Sequence, residues 1–178
     1  MDRICSFIES FLITDASFVF LGGIHGVGKT TVCKRAFIPA GYRCVTASSL
    51  IQAYDVRSDQ NKRVENVADN QSALIEQLVF EKKHHNRLLL DGHYCLINNK
   101  NKFEPIDIDV FRRINPSIFI LLKDCPYEIA RRLKSRDGKR WDQPFIEQFQ
   151  KTEEQHAQYI SHELNIPLQI FSNEEGTS

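Results

Sequence analysis

Apolar positions along the chain fall into two patterns. Short unbroken runs, Ser17-Phe-Val-Phe-Leu21, Leu88-Leu89-Leu90 and Ile118-Phe-Ile-Leu-Leu122, end in glycine or polar residues and read as buried strands. Tyr42-Arg-Cys-Val-Thr46 and Leu168-Gln-Ile-Phe171 are two further strand candidates. Elsewhere apolar residues recur at helical spacing. Val64, Val67, Ala68, Ile75, Leu78 and Val79 predict a helix reaching about Lys83. Phe145, Ile146, Phe149, Ala157, Ile160 and Leu164 stripe a long helix opened by Asp142 and Pro144. A helix from about Gly28 to Phe37 should stop at Pro39 and Gly41. Ser49 and Gln52 have capping-box spacing, and Pro126 with Glu128 suits the first turn of another helix. Asp55 to Asn66 reads as an exposed connection and Asn98 to Lys102 as a solvated loop. Arg3 to Ile13, within residues 1–16, reads as a short amphipathic helix. Five strands alternating with helices predict an α/β fold with a parallel sheet covered on both faces.

Composition narrows the classes. A chain of 178 residues with 42% apolar and 26% charged residues fits one globular domain, or one with a small mobile insertion, and not a disordered or low-complexity chain. Lys and Arg number 23, as do Asp and Glu, so the net charge is zero and nucleic acid is not an expected partner of the whole surface. No apolar run nears the ~20 residues of a membrane span. The five cysteines, at 5, 33, 44, 95 and 125, form no CxxC pair and read as reduced thiols of a cytoplasmic protein.

The strongest signal is Gly23-Ile-His-Gly-Val-Gly28-Lys29-Thr30, which matches GxxxxGK[ST] between a predicted strand and a predicted helix. Gly23, Gly26 and Gly28 let successive backbone N–H groups turn inward, and the helix N-terminus adds positive character. The loop and its exit, Gly23, Gly26, Val27, Gly28, Lys29, Thr30 and Thr31, are expected to hold the phosphates of ATP. Lys29 supplies a mobile charge for the β- and γ-phosphates, and the Thr30 hydroxyl is a candidate Mg²⁺ ligand. His25 is assigned no chemistry.

A phosphate loop needs an acidic partner at the end of a neighbouring strand, and Leu88-Leu89-Leu90-Asp91 supplies it. Asp91 is the second candidate Mg²⁺ ligand. Gly92 follows it, where a water-activating Glu would suit a motor ATPase, so the chain leans towards transfer onto a bound acceptor. Residues 131–140 carry six basic side chains against one acid, a local charge of +5. A cationic lid over residues 131–142, with Asp137-Gly138 as its turn, would stabilise a phosphoryl group in flight and exclude water.

These pieces resemble the adenylate kinase-like nucleoside monophosphate kinases, above all the archaeal-type adenylate kinases and their small bacterial relatives. The resemblance rests on GIHGVGKTT, LLLDGHY, FRRINPSIFILL, EIARRLKSRDGKRWD and IPLQIFSNEEG, in the family's order over about residues 18 to 176. It implies a three-layer P-loop NTPase fold with a five-stranded parallel sheet in the order 2-3-1-4-5. It implies ATP and Mg²⁺ as cosubstrates and a nucleoside monophosphate as acceptor. By the match Arg132 lies near adenine, Arg136 and Arg140 reach the phosphates with Lys29 as the third catalytic residue, and Ser172 and Asn173 approach the adenine edge. His93 faces the acceptor side. The acceptor segment, about residues 47–70, offers Arg57, Lys62 and Arg63 as cations for an acceptor phosphate.

Two alternatives stand beside this reading. One is a kinase for another small acceptor or a polynucleotide 5′-hydroxyl, with Asp91 or Asp55 as base. The other is an ATP-binding regulatory module acting through a partner.

Overall fold

The computed structural model describes residues 16–57, 67–138 and 140–172, with only the backbone at 55–57 and 67–69. The expected N-terminal helix, Lys62, Arg63 and Asn173 lie outside the described residues, as does the side chain of Arg57.

β1 (Phe18–Gly22) is buried at every position, as a central strand covered on both faces must be. It pairs in parallel with β3 (Leu88–Asp91) on one side and β6 (Ile118–Lys123) on the other. β2 (Arg43–Thr46) and β7 (Leu168–Ser172) form the more exposed edges. The order β2-β3-β1-β6-β7 is the expected 2-3-1-4-5 arrangement of the five sheet strands.

Three local readings are corrected. α1 (Lys29–Val32) does not run on as an α-helix but widens into a π-turn over Cys33–Phe37, where Ile38 N–H donates to Cys33 O at 2.9 Å. α2 (Ala47–Arg57) starts before Ser49, and its box is Thr46 with Ser49. Ser49 N–H donates to Thr46 Oγ1 at 3.0 Å and Thr46 N–H to Ser49 Oγ at 3.2 Å. The helix also occupies the start of the segment read as a connection. α3 (Val67–His84) packs against α2.

Between β3 and β6 the chain holds three elements that the periodicity did not predict. β4 (Cys95–Ile97) and β5 (Phe103–Pro105) form an antiparallel hairpin whose tip is the loop at 98–102. α4 (Ile108–Ile114) follows, with Asp107 as its N-cap accepting from Asp109 N–H at 2.8 Å. α5 (Pro126–Asp137) begins at Pro126 and ends on Gly138, whose φ of 69° caps it. The lid arginines up to Arg136 therefore stand on a regular helix. α6 (Gln143–Leu164) buries Ile146, Phe149, Ala157 and Ile160, as its stripe predicts, but also Gln150 and Glu153.

Phe20, Tyr94, Phe111 and Phe119 form an aromatic cluster beside the sheet, with Phe20 and Tyr94 centroids 5.1 Å apart and Tyr94 stacked on Phe111 at 5.7 Å. Gly22 makes room for it: a Cβ there would lie 2.1 Å from Tyr94 Cε2. Among the described residues no helix is long and apolar enough to cross a membrane, and Cys33, Cys44, Cys95 and Cys125 are free thiols.

Candidate functional site

Parallel register brings the site together. Leu21 of β1 and Thr46 of β2 both stand level with Asp91 of β3, so the three strands end on one side of the sheet. Ligands of open α/β sheets bind outside the carboxyl ends of the strands, which is this side. The phosphate loop leaves β1 there, and Gly23 and Gly28 adopt φ of 137° and 111°, conformations that a side chain would strain. Gly28 is the N-cap of α1, so the loop's amides lead into a helix start.

Lys29 is 8% exposed. Its Nζ donates to Gly23 O and to Ile24 O, the latter at 3.4 Å, and lies 3.7 Å from Asp91 Oδ1. Burial lowers the Lys29 ammonium and raises the Asp91 carboxyl from their ordinary values, and the attraction between them opposes both shifts. Thr30 and Asp91 line one cavity. Two hard oxygen donors fit Mg²⁺, which keeps waters and takes the rest of its shell from phosphates. Among the described residues no group of three or more His, Cys, Asp or Glu could hold a metal alone.

The cavity has a volume of about 590 Å³. From the loop it runs into a bay walled by Leu74, Leu90, Ile106, Val110 and Phe111, with Asn70, Gln71 and Ser48 as polar points. The hairpin contributes Leu96 to this bay. α4 and the hairpin, absent from the periodicity reading, thus build much of its wall. Asp107 before α4 was their one local signal, a capping residue ahead of Val110, Phe111 and Ile114.

Of the lid residues, Arg132 and Arg136 line the cavity. Arg132 donates to Asp124 Oδ2 at 2.6 Å and to Gly26 O at 3.1 Å, which fastens α5 to the phosphate loop. Asp124 is itself buried and clamped by Gln150, through Asp124 N–H to Oε1 at 3.0 Å and Nε2 to Asp124 O at 2.9 Å. Arg136 pairs with Asp137 at 2.6 Å. Arg140 and Ser172 are exposed and do not line the cavity.

His93 lines the bay two residues beyond Asp91, and His25 of the loop packs against it with ring centroids 4.4 Å apart. The desolvated setting, then His93 and Lys29, lower His25 to about 4, so it is neutral near pH 7. Sequence reasoning had given His25 no role, and no spacing signal joined it to His93. His156 donates its Nε2–H to Ile106 O at 2.7 Å, a bond that ties α6 to the segment before α4. His84 and His85 are exposed at the end of α3.

No curated protein matches the sequence. Solved structures do. A shikimate kinase from Bacteroides thetaiotaomicron superposes with a TM-score of 0.51 at 17% identity, covering 92% of this chain and 90% of that one. A shikimate kinase from Acinetobacter baumannii, in complex with shikimate, gives 0.52 at 13% identity, covering 90% and 86%. The tunicamycin resistance protein of Deinococcus radiodurans gives 0.51 at 13% identity, covering 85% and 97%. At these identities the likeness is one of fold. The family model described as AAA domain matches residues 22–150, from the end of β1 through the phosphate loop, Asp91 and the lid helix into α6. With its glycine-rich loop, buried lysine and strand-end aspartate at the carboxyl ends of a parallel sheet's strands, the chain belongs to the AAA domain family and has the P-loop NTPase fold.

Proposed function

We propose that the protein is an ATP-dependent phosphotransferase that passes the γ-phosphate to a small acceptor, in the first place a nucleoside monophosphate. The observation that carries this is one continuous cavity in which the Lys29–Asp91 pair stands between the phosphate loop and an apolar bay. A pure hydrolase has no need of such a bay. The match to the AAA domain and the two neighbours named shikimate kinase support phosphoryl transfer to a small molecule; the monophosphate as acceptor rests on the sequence resemblance.

In this reading the amides of Gly23, Gly26, Val27, Gly28, Lys29, Thr30 and Thr31 hold the phosphates, and Thr30 and Asp91 hold Mg²⁺. When bound, the ion neutralises charge on the β- and γ-oxygens. Lys29 leaves its carbonyl contacts to meet those oxygens. Arg136 turns from Asp137 to the group in flight, and Arg140 closes over it from the lid. Arg132, Ser172 and Asn173 serve the adenosine end. The apolar wall takes the acceptor's base, Asn70 and Gln71 read its edge, and Arg57, Arg63 and His93 serve its phosphate. Loop closure excludes water. The protein then acts on a small molecule in the cytoplasm, without membrane or nucleic-acid partners.

A second reading has one specific observation in its favour. Burial raises the Asp91 carboxyl, which suits a base for an acceptor hydroxyl. A coupled ADP-release assay over nucleoside monophosphates, nucleosides, sugars, shikimate and a 5′-hydroxyl oligonucleotide separates the two. ADP release stimulated by monophosphates supports the first reading; stimulation by hydroxyl acceptors alone moves the function to the second. Tight ATP binding with no acceptor-dependent turnover refutes both and leaves a regulatory module.

A further inference from the structure

Asp124 follows β6 and is 3% exposed. Burying a carboxylate is costly unless its oxygens are partnered, and here each has a donor. Oδ1 accepts N–H from Cys125 at 2.8 Å, and Oδ2 accepts from Arg132 at 2.6 Å. The backbone of Asp124 is held as well. From α6 the buried Gln150 accepts its N–H at 3.0 Å and donates to its carbonyl at 2.9 Å. One side-chain amide thus closes on both main-chain groups of the residue and makes its carboxylate a fixed point. The start of α5 explains Oδ1, which serves the Cys125 amide there. It does not explain Oδ2 on Arg132.

The same guanidinium reaches the phosphate loop. Its other terminal nitrogen donates to Gly26 O at 3.1 Å. A guanidinium is a planar fork, so partners on both terminal nitrogens fix its plane. The loop also lies directly on α5 at this point. A Cβ on Gly26 would stand 2.9 Å from Leu133 Cγ and 3.4 Å from Ile129 Cγ2. In a trans peptide the carbonyl and the following N–H point in opposite directions. Holding Gly26 O therefore sets the direction of the Val27 N–H, whose bond within the loop, to Ile24 O, is long at 3.4 Å. We propose that Asp124 is a positioning residue: through Arg132 it holds the Gly26–Val27 peptide with its carbonyl on α5 and its N–H available to a phosphate oxygen. The loop is then formed for an anion before the anion arrives, which lowers the cost of binding it. These bonds use the edge of the guanidinium, so the role adds to a contact of its face with the adenosine end. The proposal rests on the loop holding phosphate and not on the choice of acceptor.

The test uses the full chain and inorganic tripolyphosphate with Mg²⁺, a probe with the phosphates of ATP and no base, titrated by calorimetry beside ATP itself. Arg132→Lys keeps the charge on a side chain that is 35% exposed, so it should fold, but it loses the fork that meets both partners. Asp124→Asn keeps an oxygen for the Cys125 amide and removes the charge. Each should weaken tripolyphosphate about tenfold, the loss of one charge-assisted hydrogen bond, and weaken ATP at least as much. In the double variant the losses should not add, because both act through one bond. A role confined to folding would lower Tm and leave the affinity of the folded protein unchanged. A contact with adenine alone would weaken ATP and spare tripolyphosphate. Either result would overturn the proposal, as would losses that add. An unchanged tripolyphosphate affinity in Arg132→Lys decides against it whether or not Asp124→Asn folds. If wild type binds neither probe, the phosphate-loop reading itself falls and takes the proposal with it; if wild type binds both and the variants match it, the proposal falls alone.

Discussion

Replacing Lys29 by alanine tests the site at its centre. The substitution removes a buried ammonium that donates to two loop carbonyls and stands 3.7 Å from Asp91. Three effects follow. The phosphates lose a preorganised cation whose contact strengthens as charge moves, and losing one such donor costs about 10²–10³-fold in kcat, ~2.7–4 kcal/mol. The carbonyls of Gly23 and Ile24 lose a donor, which phosphate-free loops can recover from water. Asp91 loses the attraction that opposes its burial, so its carboxyl rises further than it already has. For a carboxyl raised in the folded state, the folded protein holds the extra proton. Stability therefore falls as pH rises from the ordinary value of 3.8 through the raised one, and the variant extends that window upward. The assay is coupled ADP release with the best acceptor, alongside equilibrium binding of a fluorescent ATP analogue and thermal unfolding at several pH values. Adding Asp91→Asn should cancel the extra pH dependence and restore no activity. A Lys29→Ala rate within about tenfold of wild type, under ~1.4 kcal/mol of barrier, would refute the assignment of the loop to the transferred phosphate.

Arg136→Ala should lower kcat by more than it raises the Kd of ATP, because its contact belongs to the transition state; equal losses in both would make it a plain binding residue. Asp107→Ala should cost about 1 kcal/mol through the lost cap of α4, seen as a Tm about 2–4 °C lower. Because α4 walls the bay, the same variant should weaken the acceptor and spare ATP binding. His25 should titrate near 4 by NMR against an ordinary value of 6.5, and bound ATP should raise it. Because the lowered value belongs to the folded state, stability from His25 is present above 6.5 and lost as pH falls towards 4.

The sheet was legible because its signal is local. Runs such as Leu88-Leu89-Leu90 can be buried on both faces only inside a parallel sheet, and glycine and proline marked their ends. The phosphate loop was legible for the same reason, since its amides, lysine and threonine come from one short stretch. The hairpin and α4 were not. Strands of three residues and a helix of seven are too short for a period to emerge, and what stabilises them is packing on α6, as where Phe103 stacks on Phe149 at 4.9 Å. Thr46 escaped as a cap because the strand pattern claimed it first, although its side chain serves the helix that follows.

The chain alone thus determined the fold class, the strand order's starting points, the phosphate loop and its acidic partner. Only the folded structure decided what stands around them. It fastened Arg132 to Asp124 and Gly26, left Arg140 and Ser172 outside the cavity, and set His25 against His93 and Glu153 behind it. The physical reason is separation along the chain. Glu153 reaches Tyr94 across 59 positions, and no periodicity encodes a contact that exists only once α6 lies across the sheet.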